Sequence, residues 1–192
     1  MSEKRVIAVV GFPRCGTSLM MRMLHRGGMP VVADNHNSYE DERANPLNRD
    51  FEFLRECGGK AIKLLEPQRM ELPPVLYGFI WCRRSSHEQA LSQLKFLHHV
   101  AGLPGIRMSD VELMRQGIVQ DTPVAQHKLR KLPGARLCEV WFERVLAYPR
   151  DEAHKLCQWL GVNLDEDAMV AQVKPRSAQC YRGFMELQES HA

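Results

Sequence analysis

Paired cysteines, long apolar runs and a surplus of one charge are all missing from this 192-residue chain. Each absence removes a class of function. The six cysteines, Cys15, Cys57, Cys82, Cys138, Cys157 and Cys180, are scattered, and no two form a Cys-x-x-Cys pair. That argues against a zinc site and fits a reducing compartment. Cys82 and Cys138 fall inside predicted strands and read as small buried apolar residues. No apolar stretch reaches the length of a membrane span. The opening Met-Ser-Glu-Lys-Arg passes straight into the first predicted strand, which leaves no room for a signal peptide. A formal net charge of +3 is too mild for a nucleic-acid surface, but suits a cleft that holds a small polyanion. The 44% hydrophobic and 26% charged fractions are those of a globular protein, and the length suits one domain over residues 1–192. The expectation is a cytoplasmic domain with neither nucleic acid nor membrane as partner.

A further absence sits inside the most informative stretch. Residues 6–18 read Val-Ile-Ala-Val-Val-Gly-Phe-Pro-Arg-Cys-Gly-Thr-Ser. A β-branched run ends in a glycine-bounded turn, which opens into an amphipathic helix. Such a turn converges backbone N–H groups at the positive end of a helix and makes an anion site, most often for phosphate. Gly11-x4-Gly16 has the Walker A spacing, but Thr17 stands where the lysine belongs. An ordinary ATPase or kinase is therefore disfavoured. A phosphatase-type cysteine loop around Cys15 is also rejected, because Met21 occupies the position that would need arginine.

Strands and helices alternate along the chain. Strands are predicted at residues 5–10, 30–32, 60–65, 76–82 and 136–142. Helices are predicted at 17–26, 50–56, 86–100, 110–132, 150–160 and 165–173, with an interruption near Asp121-Thr122-Pro123 in the fourth. Residues 34–50 are a long polar loop, and 102–105 are a break. This order predicts an α/β fold with a parallel central sheet of about five strands and helices on both faces. Its ligand belongs at the carboxyl ends of the strands, beside the first loop.

The fourth strand ends in Arg83-Arg84, and Ser92 follows eight residues after Arg84. A strand-end arginine and a serine two turns into the next helix can hold a second anionic group. An exposed arginine and an ordinary helix serine would give the same pattern. His98-His99 reads as a polar helix face rather than a metal site.

With these residues in view the chain resembles the sulfotransferases. Gly-Phe-Pro-Arg-Cys-Gly-Thr-Ser looks like their 5′-phosphosulfate loop, and Arg84 with Ser92 looks like their 3′-phosphate pair. Residues 142–149, Phe-Glu-Arg-Val-Leu-Ala-Tyr-Pro, with Trp159-Leu160-Gly161 after them, are similar to a third stretch of that family. Gly27-Gly28-Met29-Pro30-Val31, Asn45-Pro46 and Gly59-Lys60-Ala61-Ile62-Lys63 resemble its compact bacterial-type branch. The likeness runs over residues 5–162.

The resemblance implies a P-loop-type three-layer fold. It also implies 3′-phosphoadenosine 5′-phosphosulfate (PAPS) as donor, with its sulfonate passed to a hydroxyl or amine and no metal required. Donor-binding residues would be Pro13, Arg14, Cys15, Gly16, Thr17, Ser18, Arg84, Ser92 and Phe142, the last lining the adenine pocket. Arg14 and Lys63 would stabilise the leaving phosphate. Many relatives carry a histidine two residues beyond that lysine, but Leu65 is there. A carboxylate is then the expected base, with Glu52 preferred over Glu40, Asp50, Asp34 and Glu66. Arg182-Gly183, with Arg176 as competitor, looks like the C-terminal closure on the 3′-phosphate. The acceptor, small or carbohydrate-like, would be met by the loop at 34–56 and the helices between 100 and 132. Two other readings stand beside this one: a nucleotide-dependent phosphotransferase using arginine for the Walker lysine, and a non-catalytic binding protein.

Overall fold

The fourth predicted strand, residues 76–82, is apolar throughout. Such a strand is stable only where both faces are covered, and that is where it lies. The computed structural model describes residues 4–48, 50–102 and 105–174. Its centre is a five-stranded sheet in the order β2-β3-β1-β4-β5. The strands are β1 Val6–Gly11, β2 Val31–Val32, β3 Ala61–Leu65, β4 Tyr77–Arg83 and β5 Arg136–Trp141. All four pairings are parallel, so every carboxyl end lies on one edge. The helices are α1 Thr17–Arg26, α2 Ser86–Ala101, α3 Met108–Arg130, α4 Phe142–Ala147, α5 Pro149–Leu160 and α6 Glu166–Val170.

Strand alternation divides the core in two. Ile7, Val9, Ala61, Ile80 and Val140 face one way and pack on Met20, Met21, Met23 and Leu24 of α1, on Leu156 of α5 and on Met169 of α6. Val6, Ala8, Val10, Ile62, Leu64, Phe79 and Trp81 face the other way, onto Ala125 and Leu129 of α3 and onto Leu54. The methionines after the first loop are thus core of the α1 face. Lys63 shares its alternation with Ala61 and faces α1. Trp81 faces α3. Arg84 continues the alternation of Ile80 and Cys82, whereas Arg83 continues that of Phe79 and Trp81.

Three departures from the sequence reading have physical causes. The predicted interruption at Pro123 is absent: α3 runs unbroken for 23 residues with Pro123 inside it. Proline removes one helix bond, and beside it Thr122 Oγ1 donates to the Ile118 carbonyl at 2.6 Å. The loop at 34–50 contains a 3-10 turn, Glu42–Ala44, and the expected helix at 50–56 is itself 3-10, Glu52–Glu56. Helix α4 starts directly from β5, where the strand was expected to continue through Phe142. Cys82 is buried in β4 and Cys138 partly buried in β5, and burial pushes the Cys138 thiol up to about 12. Cys180, Arg176, Arg182 and Gly183 lie outside the described residues.

The long loop has its own anchor. The Asp41 side chain is 1% exposed. It accepts from the Arg43 backbone N–H at 3.0 Å, from Nε at 2.9 Å and from Nη2 at 2.7 Å. Those bonds from Arg43 hold its carboxyl below the ordinary value against the opposing effect of burial. A depressed folded pKa stabilises above the unfolded value, and that stability is lost as pH falls through the folded value. Asp41→Asn is expected to cost about 1.5–3 kcal/mol at pH 7, the scale of hydrogen bonds to a charged group. Denaturant unfolding should show the difference from wild type shrinking once the pH drops below about 4.

Candidate active site

The first loop is shaped by two left-handed residues, Arg14 at φ 67° and Gly16 at φ 100°. Side-chain contacts of Arg14 offset the cost of that backbone. Its Nε donates to Ser92 Oγ at 3.3 Å, and its guanidinium lies 5.3 Å from the Phe96 ring centroid. Gly16 precedes α1 and offers no side-chain cap, so the amides of the first turn face the loop. A Cβ at Gly16 would stand 2.7 Å from Phe142 Cδ2. Gly16→Ala therefore combines left-handed strain of about 1–2 kcal/mol with a displaced ring. A thermal midpoint roughly 3–8 °C below wild type is expected in a melting curve.

Strand β4 brings Arg84 to the same loop. Its side chain is 6% exposed, its Nη1 donates to the Arg14 carbonyl at 3.3 Å, and its guanidinium lies 5.0 Å from the Phe142 ring centroid. Glu88 is 3.6 Å from Arg84 Nη2. Ser92 is 1% exposed. The loop is further tied to α2 by Gln89, whose Nε2 donates to the carbonyls of Phe12 at 3.3 Å and Pro13 at 2.9 Å. Sequence reasoning missed Gln89, although its position one turn before Ser92 on the same helix face was a usable signal. Glu143, in the third stretch, accepts from the Ser85 N–H at 2.8 Å at the start of α2. Arg14, Arg84, Ser92 and Phe142 are thus gathered around one loop, with Cys15 and Thr17 buried in it. Phe142 lines a small hollow with Gly16 and Leu19.

The carboxylates separate. Lys63 Nζ donates to Glu40 Oε1 at 2.8 Å, to the Ser38 carbonyl at 3.0 Å and to Ser18 Oγ at 3.1 Å. Ser18 Oγ also lies 3.1 Å from the Ser38 carbonyl. Lys63 is buried, while the Glu40 side chain is 58% exposed. Glu40 is therefore both joined to the first loop and open to an incoming molecule. Glu52, the preferred carboxylate of the sequence reading, sits on the exposed 3-10 turn and is paired with Arg55. Glu66 pairs with Arg69, Asp34 accepts from the Glu42 N–H, and Asp50 accepts from the Glu52 N–H. Only Glu40 of the five makes a contact with Lys63 among the described residues.

Glu40 reaches Lys63 because Tyr39 is left-handed, at φ 56°. Tyr39 is buried, and its hydroxyl lies 3.1 Å from His25 Nδ1. Burial, then His36, then Arg26 hold the His25 pKa below its ordinary value. The backbone bridge between Asn35 and Glu40 closes the same turn.

Among the described residues no helix is long and apolar enough to cross a membrane. The sequence matches no protein-family model and no curated protein. Solved structures do match. A mouse sulfotransferase complexed with PAP superposes with a TM-score of 0.61 at 16% identity, over 94% of this chain and 71% of that one. Retinol dehydratase, in complex with androsterone and the inactive cofactor PAP, gives 0.54 at 15% identity, over 88% of this chain and 63% of its own. The sulfotransferase domain from the curacin biosynthetic pathway gives 0.56 at 13% identity, over 94% and 81%. This chain spans just under two thirds of retinol dehydratase and somewhat more of the other two. It has the sulfotransferase fold.

Proposed function

We propose that this chain transfers a sulfonate group from PAPS to a hydroxyl or amine of a small or carbohydrate-like acceptor. One observation carries the reading. Arg14 of the first loop is bonded to both members of the second cluster: its carbonyl accepts from Arg84 and its guanidinium donates to Ser92, which supports two linked corners for anions. A donor with separate phosphates at its 5′ and 3′ positions needs two such corners. PAP, the desulfated donor, accompanies two structures of the same fold.

The residues fit the donor's charge. The uncapped start of α1, with the loop amides of residues 14–18, suits the 5′-phosphate. Arg84 and Ser92 suit the 3′-phosphate, with Phe142 beside the base. The donor supplies an activated sulfonate. Arg14 and Lys63 place fixed positive charge where the leaving phosphate gains negative charge. Glu40 takes the acceptor proton, in place of Glu52. Its support is its position, bonded to Lys63 and exposed to solvent. No metal enters this scheme.

Calorimetric titration with PAP and, separately, with ATP and magnesium tests the donor. PAP should bind the tighter, and a preference for ATP with magnesium would sink the reading in favour of a phosphotransferase. Sulfur-labelled donor with a panel of hydroxyl and amine acceptors tests the transfer. Label should move to at least one acceptor.

A further inference from the structure

The α3 face of the sheet holds a cavity of about 500 Å³ that borders the donor corner at Arg84 and Gln89 but whose other walls the donor reading leaves unused. It opens at the ends of β4 and β5 under α3. It is not the acceptor side of the cluster around Lys63. Strand alternation puts Lys63 on the α1 face and Trp81, which lines the cavity, on the α3 face. Strand β1 also stands between them, since β3 and β4 flank it. None of Arg14, Ser18, Glu40 and Lys63 lines the cavity.

The cavity repeats, on the opposite face, the pattern of the donor corner. There, Arg84 lies over Phe142. Here, the neighbouring Arg83 lies over Trp141, with its guanidinium 4.4 Å from the ring centroid. Consecutive strand residues point to opposite faces, so Arg83-Arg84 followed across the sheet by Trp141-Phe142 builds two arginine–aromatic pairs back to back. Trp81 supplies a second aromatic wall. Val119 and Pro123 of α3 close the far side. Arg83 lines the cavity, with Arg84 at its border with the donor corner, and among the described residues no carboxylate lines it. Arg83 Nη1 donates to Glu139 Oε2 at 2.9 Å, which fixes the guanidinium from behind and leaves its other N–H groups for a ligand. Ser85 and Ser86 also line the cavity.

We infer that this cavity is a second ligand site, for a small molecule with a flat aromatic body and one anionic group. The volume lies within the range of small-molecule pockets, roughly 300–1,000 Å³. The aromatic walls select a planar ring system, and Arg83 with the serines selects the charge. The inference does not rest on sulfonate transfer.

1-Anilinonaphthalene-8-sulfonate has this chemistry and serves as the probe. In a Trp159→Phe background, Trp81 and Trp141 are the remaining tryptophans, and both line the cavity. Saturable quenching of their emission at one probe per chain is expected. Val119→Phe, which fills the cavity from α3, and Arg83→Met, which removes the charge, should each weaken binding at least tenfold. The thermal midpoint should stay within about 2 °C for at least one of the two, the range of a modest surface change. Binding that is unsaturable, or altered less than twofold by both changes, overturns the site. So does displacement of the probe by PAP, which would put the probe in the donor corner. If PAP itself fails to bind, the donor reading falls while the probe titration still decides the cavity.

Discussion

Replacing Arg84 by alanine is expected to weaken PAP binding roughly 10- to 150-fold, the equivalent of about 1.5–3 kcal/mol for hydrogen bonds to a charged group. The effect has two sources. The variant loses the planar fork offered to a phosphate. It also loses the bond from Nη1 to the Arg14 carbonyl, which holds the left-handed Arg14 in place. Arg84→Lys keeps the charge without the fork and should recover only part of the affinity. Calorimetric titration of both variants checks the result. Equal affinity in wild type and Arg84→Ala would remove the second phosphate corner, and with it the case for a 3′-phosphorylated donor.

Glu40→Gln is expected to lower turnover by about 10²- to 10⁴-fold, the range for losing a general base. PAP affinity should change little, because Glu40 contacts Lys63 and not the loop amides. Glu52→Gln should behave as wild type, since that carboxylate pairs with Arg55 on an exposed turn. Sulfur-labelled donor, with any acceptor that the wild type modifies, separates the two. Loss of turnover in Glu52→Gln alone would return the base to the position favoured by sequence.

The sheet was legible because burial on both faces leaves its mark on each strand. Residues 76–82 read as a continuous apolar run, and β4 occupies Tyr77–Arg83. The first loop was legible because glycine is required where it turns. Arg84 and Ser92 were legible through a fixed separation along one strand and one helix. Glu40 was not singled out, because nothing local marks it. Its contact with Lys63 spans 23 residues and depends on a left-handed Tyr39 held by His25. Glu52, the carboxylate preferred from sequence, pairs instead with Arg55. Pro123 shows the converse error. A strong local breaker was overridden because α3 keeps Ala125 and Leu129 buried on the sheet. Helix α4 was missed because no cap or turn residue announces it: Trp141 stands at its start without a side-chain capping bond.

Gln89 has a mechanical consequence. By gripping the carbonyls of Phe12 and Pro13, it makes the first loop and helix α2 one rigid piece. Ser92, a turn further along that helix, then sits at a set span from the start of α1. Under the proposed function, the two corners would act as the jaws of a caliper whose opening does not adjust to its load. A donor would then be measured by the distance between its phosphates. Adenosine 5′-phosphosulfate, with no 3′-phosphate, touches one jaw only, and Gln89→Ala should blunt the discrimination between it and PAPS before it alters the affinity for either phosphate alone.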